Sequence, residues 1–481
     1  MRLTVIIRTL GVLFLLFSTA LLVPIGIAFY YSEPEIQPFS LTFAIALLIG
    51  VVLWLPFRHD SEVIRSRDGF LIVALMWTAM SLIGTVPFML SLDLHFVDAF
   101  FESVSGFTTT GATVLEGLDT MPKSILFYRQ ELNWLGGIGV IVLAVALLPM
   151  LGIGGMQLYK AEMAGPLKDE RFTPRLARTA RGLLVVYIVL TAVCAMAYWL
   201  AGMTTFDAIS HAFSTLSTGG LSTHDASIGY FDSVPIEVVA TVFTIIGAIS
   251  FNEHFIAWRT MQLARYGRDT QTRVFLIIVL AFIVVTTGVL YATRTYPTFA
   301  ESLRYASFEV VTIITTNGYM IAEFSVWPLA LPVLLIFSAF IGGCAGSSTG
   351  GIKVIRFVVL FKQVGIHIHR LIHPQAIRRM KIDGHPLPDS VVDAVSGFFA
   401  VYIIVFFTFM ALAMMDGMDQ VTAFGAVAST LNNVGPSLGD VAITFADVSV
   451  QGKIVFAVAM LFGRLEIYTF LVLLTPAFWR R

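Results

Sequence analysis

One pattern recurs in four 14-residue stretches: DAFFESVSGFTTTG (98–111), DAISHAFSTLSTGG (207–220), YASFEVVTIITTNG (305–318) and TAFGAVASTLNNVG (422–435). In each of these four windows the second residue is Ala, the eighth is Ser or Thr, the tenth is apolar and the last is Gly. The final glycines lie 109, 98 and 117 residues apart. A period this long indicates an internal domain duplication rather than a solenoid.

The composition indicates a membrane protein. Of the 481 residues, 57% are apolar and only 13% are charged, about half the usual share for a soluble domain. A soluble fold cannot hide so much apolar surface, which excludes an ordinary soluble enzyme, a disordered protein and a nucleic-acid binder. Ten apolar runs are long enough to cross about 30 Å of hydrocarbon, near 3–30, 39–57, 70–90, 124–157, 182–201, 235–258, 274–292, 327–361, 391–415 and 454–479.

The basic residues predict how these ten spans are oriented. Of the 30 Lys and Arg, all but six fall in the two termini and in alternate loops, which puts 24 on one side of the membrane. The six exceptions are Lys123, Arg129, Arg294, Arg304, Lys453 and Arg464. Loops rich in Lys and Arg mark the cytoplasmic side. We therefore predict a multi-pass protein of the bacterial inner membrane with both termini in the cytoplasm.

Each window is predicted to form a re-entrant loop between two spans. About ten helical residues cover only half of the hydrocarbon, and a full crossing would put successive basic loops on opposite sides. Re-entrant backbone must be buried in protein or line a water-filled path. The predicted fold is an all-α polytopic membrane protein with four parallel span–pore-helix–span repeats around a pseudo-fourfold pore. Its units are two N-terminal spans (1–57) and pore repeats at 70–157, 182–258, 274–361, whose second span is broken, and 391–479.

A tract of small, hydroxyl- or amide-bearing residues ends each window, and it contains no carboxylate. Backbone carbonyls can replace the water around a monovalent cation, and glycine permits the backbone conformations that aim them at an axis. The preceding helix also directs its negative C-terminal end there. Close helix packing would explain one such glycine, but four at one offset favour a K⁺ filter. The predicted filter residues are Thr109, Thr110, Gly111, Thr218, Gly219, Gly220, Thr316, Asn317, Gly318, Asn433, Val434 and Gly435.

The repeat plan and its motifs resemble a known family. SGFTTTGAT, STLSTGGLST, TIITTNGYM and STLNNVGPS are similar to the Trk/Ktr/HKT superfamily of potassium transporters, most closely to its TrkH branch, the membrane subunit of bacterial Trk potassium uptake. The resemblance covers essentially the whole chain. It implies one glycine-centred filter layer per repeat, with Gly219 competing with Gly220 in the second. Because the tracts differ from the TVGYG filter of potassium channels, Rb⁺ and Na⁺ are further expected substrates.

The eighth span is interrupted by GGCAGSSTGG (342–351), which contains five glycines. Such a tract cannot hold a regular helix well, and a broken helix at membrane depth is tolerable only beside a cavity. A phosphate-binding loop is not favoured, because no GK[ST] follows. The resemblance implies a loop that obstructs the pore together with an arginine; a buried pair with Glu466 is the alternative for that arginine. The predicted gate residues are Gly346, Ser347, Ser348, Thr349, Gly350, Lys353 and Arg464.

The predicted function is gated K⁺ uptake across the inner membrane, without enzymatic activity. The resemblance also implies a homodimer and a cytosolic, TrkA-like regulatory subunit that binds NAD or ATP/ADP, so no cofactor is expected in this chain. The alternative is a proton- or sodium-coupled symporter, which would need titratable groups at membrane depth. Glu309 is instead interpreted as supporting its pore helix, His211 as a packing residue, and Arg129 and Glu131 as a pair or as snorkelling side chains.

Overall fold

The structure is a computed structural model that describes residues 2–59, 66–142, 174–375 and 379–480. Within these ranges the chain is almost entirely helical. The exception is an antiparallel pair of two-residue strands, β1 (Lys381–Ile382) and β2 (His385–Pro386), in which Lys381 lies opposite Pro386. Residues 143–157, predicted as the end of the first repeat, lie outside the described residues.

The N-terminal unit consists of helices α1 (Leu3–Ala20), α2 (Leu22–Tyr31) and α3 (Ile36–Trp54). Helices α1 and α3 pack closely along one another. Small residues permit this approach: a Cβ atom on Gly11 would lie 2.6 Å from the backbone nitrogen of Trp54. Small residues at crossings are typical of helix pairs in membranes.

Four further units follow, and each contains a short helix after a longer one. Unit 1 contains α4 (Ser66–Leu92), α5 (Phe96–Phe107) and α6 (Lys123–Val142). Unit 2 contains α7 (Pro174–Leu200), α8 (Thr205–Ser217), α9 (Val234–Ala248) and α10 (Phe251–Thr260). Unit 3 contains α11 (Thr270–Ala292), α12 (Phe299–Ile314), α13 (Leu331–Ile341) and α14 (Val354–Ile372). Unit 4 contains α15 (Asp389–Met415), α16 (Gln420–Asn432), α17 (Val450–Arg464), α18 (Tyr468–Leu474) and α19 (Pro476–Trp479).

Among the described residues, six helical segments are long and apolar enough to cross a membrane, and two bent helix pairs raise that number to eight. The bends measure 94° between α9 and α10 and 111° between α17 and α18. Long helices such as α11 expose Ile277 and Leu280, and α15 exposes Ile404, as expected where lipid surrounds the protein. The predicted class, an all-α polytopic membrane protein, is confirmed. The number of ten spans stays a prediction.

The four short helices, α5, α8, α12 and α16, are called pore helices 1 to 4 below. Three of them begin at a side chain that accepts a hydrogen bond from the first turn: Thr204, Thr298 and Asp419. Thr298 forms a full capping box with Glu301. The C-terminal half of each pore helix is buried. Consequently all four helices deliver their last residues into the protein interior.

Candidate ion pathway

The tracts that follow the four pore helices have one backbone conformation. The twelfth residue of each window is left-handed, with φ between 51° and 58°, and so is the final glycine, with φ between 67° and 95°. In every window the N–H of the thirteenth residue donates to the carbonyl of the eighth, over 2.8–2.9 Å. The twelfth residues are Thr109, Thr218, Thr316 and Asn433. In unit 2 it is Gly220, and not Gly219, that occupies the left-handed final position.

The four tracts meet in a closed ring. A Cβ atom added to Gly111 would collide with the carbonyl oxygen of Gly219, and one added to Gly220 would collide with that of Asn317. A Cβ on Gly318 would collide with the carbonyl oxygen of Val434. The ring closes where a Cβ on Gly435 would lie 2.9 Å from the carbonyl oxygen of Thr110. The thirteenth residue of each window therefore turns its carbonyl toward the final glycine of another unit.

An open cavity of about 310 Å³ lies on one side of this ring, and all four final glycines line it. Its wall also contains Glu116 and Asp225. Carboxylates at the mouth of a narrow passage raise the local concentration of cations. All twelve predicted filter residues thus belong to one assembly with an open entrance.

The glycine-rich segment 342–351, here called the cross-loop, lies at the ends of the pore helices. The Ser348 hydroxyl donates to the carbonyl of Leu216, at the end of pore helix 2, over 2.9 Å. The Gly350 N–H donates to the Thr316 hydroxyl over 2.6 Å. The Gly351 N–H donates to the carbonyl of Asn432, at the end of pore helix 4, over 3.1 Å. The cross-loop therefore contacts three of the four units where their filter tracts begin.

The cross-loop also carries hydrogen bonds to unit 2 and within itself. The N–H of Phe251 donates to the Gly346 carbonyl over 3.1 Å, at the bend between α9 and α10. The hydroxyls of Ser347 and Thr349 lie 2.8 Å apart, and the Lys353 ammonium donates to the Thr349 hydroxyl over 2.9 Å. The predicted gate residues of this segment thus form one connected structure.

Arg464 lies against the cross-loop and is only 5% exposed. Its Nη1 donates to the Ser348 carbonyl over 2.9 Å, while Nε and Nη2 have no hydrogen-bond partner among the described residues. The alternative of a buried pair with Glu466 is wrong, because Glu466 pairs with Arg356 at 2.5 Å. An Arg with two unused donors at this depth keeps a positive charge beside the cross-loop.

The comparisons with known proteins agree with this geometry. The sequence matches a family described as TrkH, cation transport protein, over residues 35–481. The chain belongs to the TrkH family. Family members named "Trk system potassium uptake protein TrkH" are 50% identical in Vibrio parahaemolyticus, over 99% of each chain, and 48% identical in Escherichia coli K12, over 100% of each chain. The solved structure titled "Crystal Structure of the Potassium Transporter TrkH from Vibrio parahaemolyticus" has a TM-score of 0.92 and 48% identity over 100% of both chains.

This TrkH family member also contains a buried ion pair that the sequence analysis missed. Arg129 is 1% exposed and its Nε donates to Glu102 Oε1 over 2.7 Å, so it neither snorkels nor pairs with Glu131. Its Nη1 donates to the Ser222 carbonyl of unit 2 over 3.1 Å. A second link between units runs from the Asn433 amide to the Thr110 hydroxyl over 2.9 Å. The signal in the sequence was the recurrence of Glu at the fifth position of two windows, in Glu102 and Glu309.

Proposed function

We propose that this TrkH family member is a K⁺ uptake pathway whose filter is the ring of carbonyl groups of Thr110, Gly219, Asn317 and Val434. The closed ring is the observation that carries the proposal. Main-chain oxygens are the ligands that replace the hydration shell of K⁺. The names of the curated relatives, as Trk potassium uptake proteins, support the choice of ion.

The surroundings of the ring favour a cation without binding it too tightly. The four pore helices end next to the ring, and a helix C-terminus carries about half an elementary negative charge. The ring itself contains no carboxylate. Entry of one K⁺ into a cell gains about 2.3 kcal/mol per 100 mV of negative-inside potential. Uptake through the ring therefore needs no chemical step on the ion.

The cross-loop with Arg464 is the proposed gate. The loop contacts the ends of three pore helices, and Arg464 adds a positive charge at that level. A cation that leaves the ring toward this side meets both a steric and an electrostatic barrier. Opening then requires the cross-loop to move away from the pore-helix ends.

The setting of the protein follows from the charge pattern and the family. We propose that it lies in the bacterial inner membrane with both termini in the cytoplasm, as the 24 basic residues on one side favour. We further propose a homodimer that docks a TrkA-like cytosolic subunit on its basic cytoplasmic surface. NAD or ATP/ADP would bind that subunit, so this chain is assigned no cofactor.

Uptake of ⁸⁶Rb⁺ into liposomes by the purified wild type and by Gly111→Ser tests the filter. The serine Cβ would collide with the Gly219 carbonyl, so we expect the K⁺/Na⁺ selectivity of the variant to fall. Gly288→Ser is the matched control, because a Cβ there meets no atom within 4 Å. Unchanged selectivity in Gly111→Ser would contradict the filter assignment.

A proton- or sodium-coupled symporter is the second candidate, and buried Glu309 is the observation that favours it. A coupled mechanism moves K⁺ against its own gradient when the coupling ion flows inward. Flux is therefore measured at fixed voltage with and without a pH or Na⁺ gradient. Dependence of uptake on either gradient would select the symporter.

A further inference from the structure

The fifth residues of the four windows are Glu102, His211, Glu309 and Ala426. All four are buried within the pore helices. Three of them are polar, and buried polar side chains require hydrogen-bond partners. The side chain of Ala426 has no polar atom and makes no hydrogen bond. Each of the three polar side chains hydrogen-bonds to the chain just after the filter tract of its own unit.

Both glutamates accept hydrogen bonds from the segment that directly follows the filter tract. Glu102 Oε2 accepts from the Thr113 hydroxyl over 2.9 Å and from the Val114 N–H over 3.1 Å. Glu309 Oε1 accepts from the N–H groups of Ile321 and Ala322 over 2.8 Å and 3.0 Å. These partners lie two to four residues beyond Gly111 and Gly318. The carboxylates thus hold the chain at the C-terminal ends of two filter tracts.

His211 performs the same task with different chemistry. Its Nε2 lies 2.9 Å from the hydroxyl of Ser222, two residues beyond Gly220. Its Nδ1 lies 2.9 Å from the carbonyl oxygen of Asp207, and because a carbonyl only accepts, Nδ1 carries the proton. In unit 4, where Ala426 offers no such contact, the Ser429 hydroxyl donates to the Gly435 carbonyl over 2.6 Å instead.

Each filter tract is therefore fixed at two points in units 1 to 3. The hydrogen bond between the thirteenth and eighth residues of the window fixes the tract itself, and the side chain of the fifth residue fixes the chain just after the final glycine. Selectivity among alkali cations depends on the spacing and freedom of the carbonyl ligands. We propose that Glu102, His211 and Glu309 are positioning residues that set the K⁺/Na⁺ selectivity of the pathway. This inference rests on the proposed K⁺ filter.

The two glutamates differ in a way that makes the proposal testable. Both oxygens of Glu102 accept, because Oε1 binds Arg129 while Oε2 binds Thr113 and Val114. Glu309 accepts only through Oε1, and its Oε2 has no partner among the described residues. A glutamine keeps one accepting oxygen and replaces the other by a donating amide. Glutamine therefore preserves the contacts of Glu309 but cannot preserve those of Glu102.

The experiment measures ⁸⁶Rb⁺ uptake into liposomes, in competition with K⁺ or Na⁺, for the purified full-length protein. We expect Glu309→Ala and Glu102→Gln to lower the K⁺/Na⁺ selectivity about tenfold, the scale of one lost hydrogen bond. Glu309→Gln should retain selectivity within about twofold of the wild type by the same scale. Ser307→Ala is the control on pore helix 3, because its hydroxyl donates to the Arg304 carbonyl of its own helix and to no other group in the part of the chain that the structure describes.

The outcomes are distinct. Wild-type selectivity in Glu102→Gln, or in a folded Glu309→Ala, would overturn the positioning role. A loss of selectivity in Glu309→Gln as large as in Glu309→Ala would also overturn it. An accepting oxygen at this position would then not be enough, and a titratable carboxyl would be required. If Glu309→Ala fails to fold, the difference between the two glutamine variants still decides. Failure of the proposed function looks different, because the wild type itself would then take up no ⁸⁶Rb⁺.

Discussion

The carbonyl ring and the cross-loop lie next to each other but are built on opposite principles. In the ring, all four units contribute the same backbone conformation, with left-handed twelfth and fourteenth residues in every window. In the layer of the cross-loop, units 2, 3 and 4 contribute different groups, each from the bend or break in its second helix. Unit 3 supplies the loop, unit 4 supplies Arg464 and unit 2 supplies the bend at Phe251.

This difference indicates how duplication was used in the molecule. A ring of main-chain oxygens depends on backbone shape, which a repeated sequence reproduces four times. The proposed gate needs only one loop and one charge, so individual units can diverge there while the ring stays intact. We therefore expect changes in the ring to be equivalent between units and changes in the layer of the cross-loop to be specific to one residue.

The largest effect should come from the ring. In Gly318→Ala the new methyl group would collide with the Val434 carbonyl, at a left-handed φ of 81° that disfavours any Cβ. We expect ⁸⁶Rb⁺ uptake to fall by about 100-fold, equivalent to roughly 2.7 kcal/mol of barrier. Gly288→Ala, where nothing lies within 4 Å of a new Cβ, should transport normally. Normal transport in Gly318→Ala would contradict the expectation that the four units contribute equivalently to the ring.

A smaller effect of opposite sign should come from Arg464. A charge about 10 Å from the ion, at an effective dielectric constant of about 20, raises the energy of a cation by about 1.7 kcal/mol. Arg464→Ala should therefore increase ⁸⁶Rb⁺ uptake about 20-fold in the absence of any partner subunit. Arg464→Lys keeps the charge and should retain most of the barrier. Equal uptake in the wild type and Arg464→Ala would remove this residue from the gate.

The smallest effect concerns a side-chain contact between units outside the ring. Partial burial opposes protonation of His224, but Asp207 and Asp119 outweigh it and raise its pKa. The His224 Nδ1 lies 2.5 Å from Asp119 of unit 1. Because the folded-state pKa is raised, the stabilisation is complete below the ordinary pKa of about 6.5 and is lost as pH rises through the raised value.

Thermal unfolding of the wild type and His224→Gln, followed between about pH 6 and pH 9, measures this contribution. The wild type should have the higher melting temperature at low pH, and the difference should shrink as pH rises. A difference that stays constant over this range would show that the charge on His224 does not join the two units.

The sequence was informative where a local pattern decides the structure. The windows placed the pore helices, and the small residues of GGCAGSSTGG predicted that the eighth span would be broken, as it is between Ile341 and Val354. Both features depend on residues within a few positions of one another, because helix propensity and left-handed φ values are local properties.

Contacts between distant residues could not be predicted. Arg129 pairs with Glu102, which lies 27 positions earlier in the chain, and Glu466 pairs with Arg356, which lies 110 positions earlier. Glu131 lies nearer to Arg129 in the sequence, and Arg464 lies nearer to Glu466. Proximity along a helix does not decide which side chains face each other. The roles of the filter and gate residues stay predictions that the variants above test.

The position of the cross-loop has a consequence for how current would start and stop. One short segment hydrogen-bonds Leu216, Thr316 and Asn432, which belong to three different units. The three donors, Ser348, Gly350 and Gly351, lie within four consecutive residues, so withdrawal of the segment should break these bonds together. As the proposed gate, the cross-loop would form an all-or-none barrier, so electrical recordings of one pore should alternate between silence and a single conductance level.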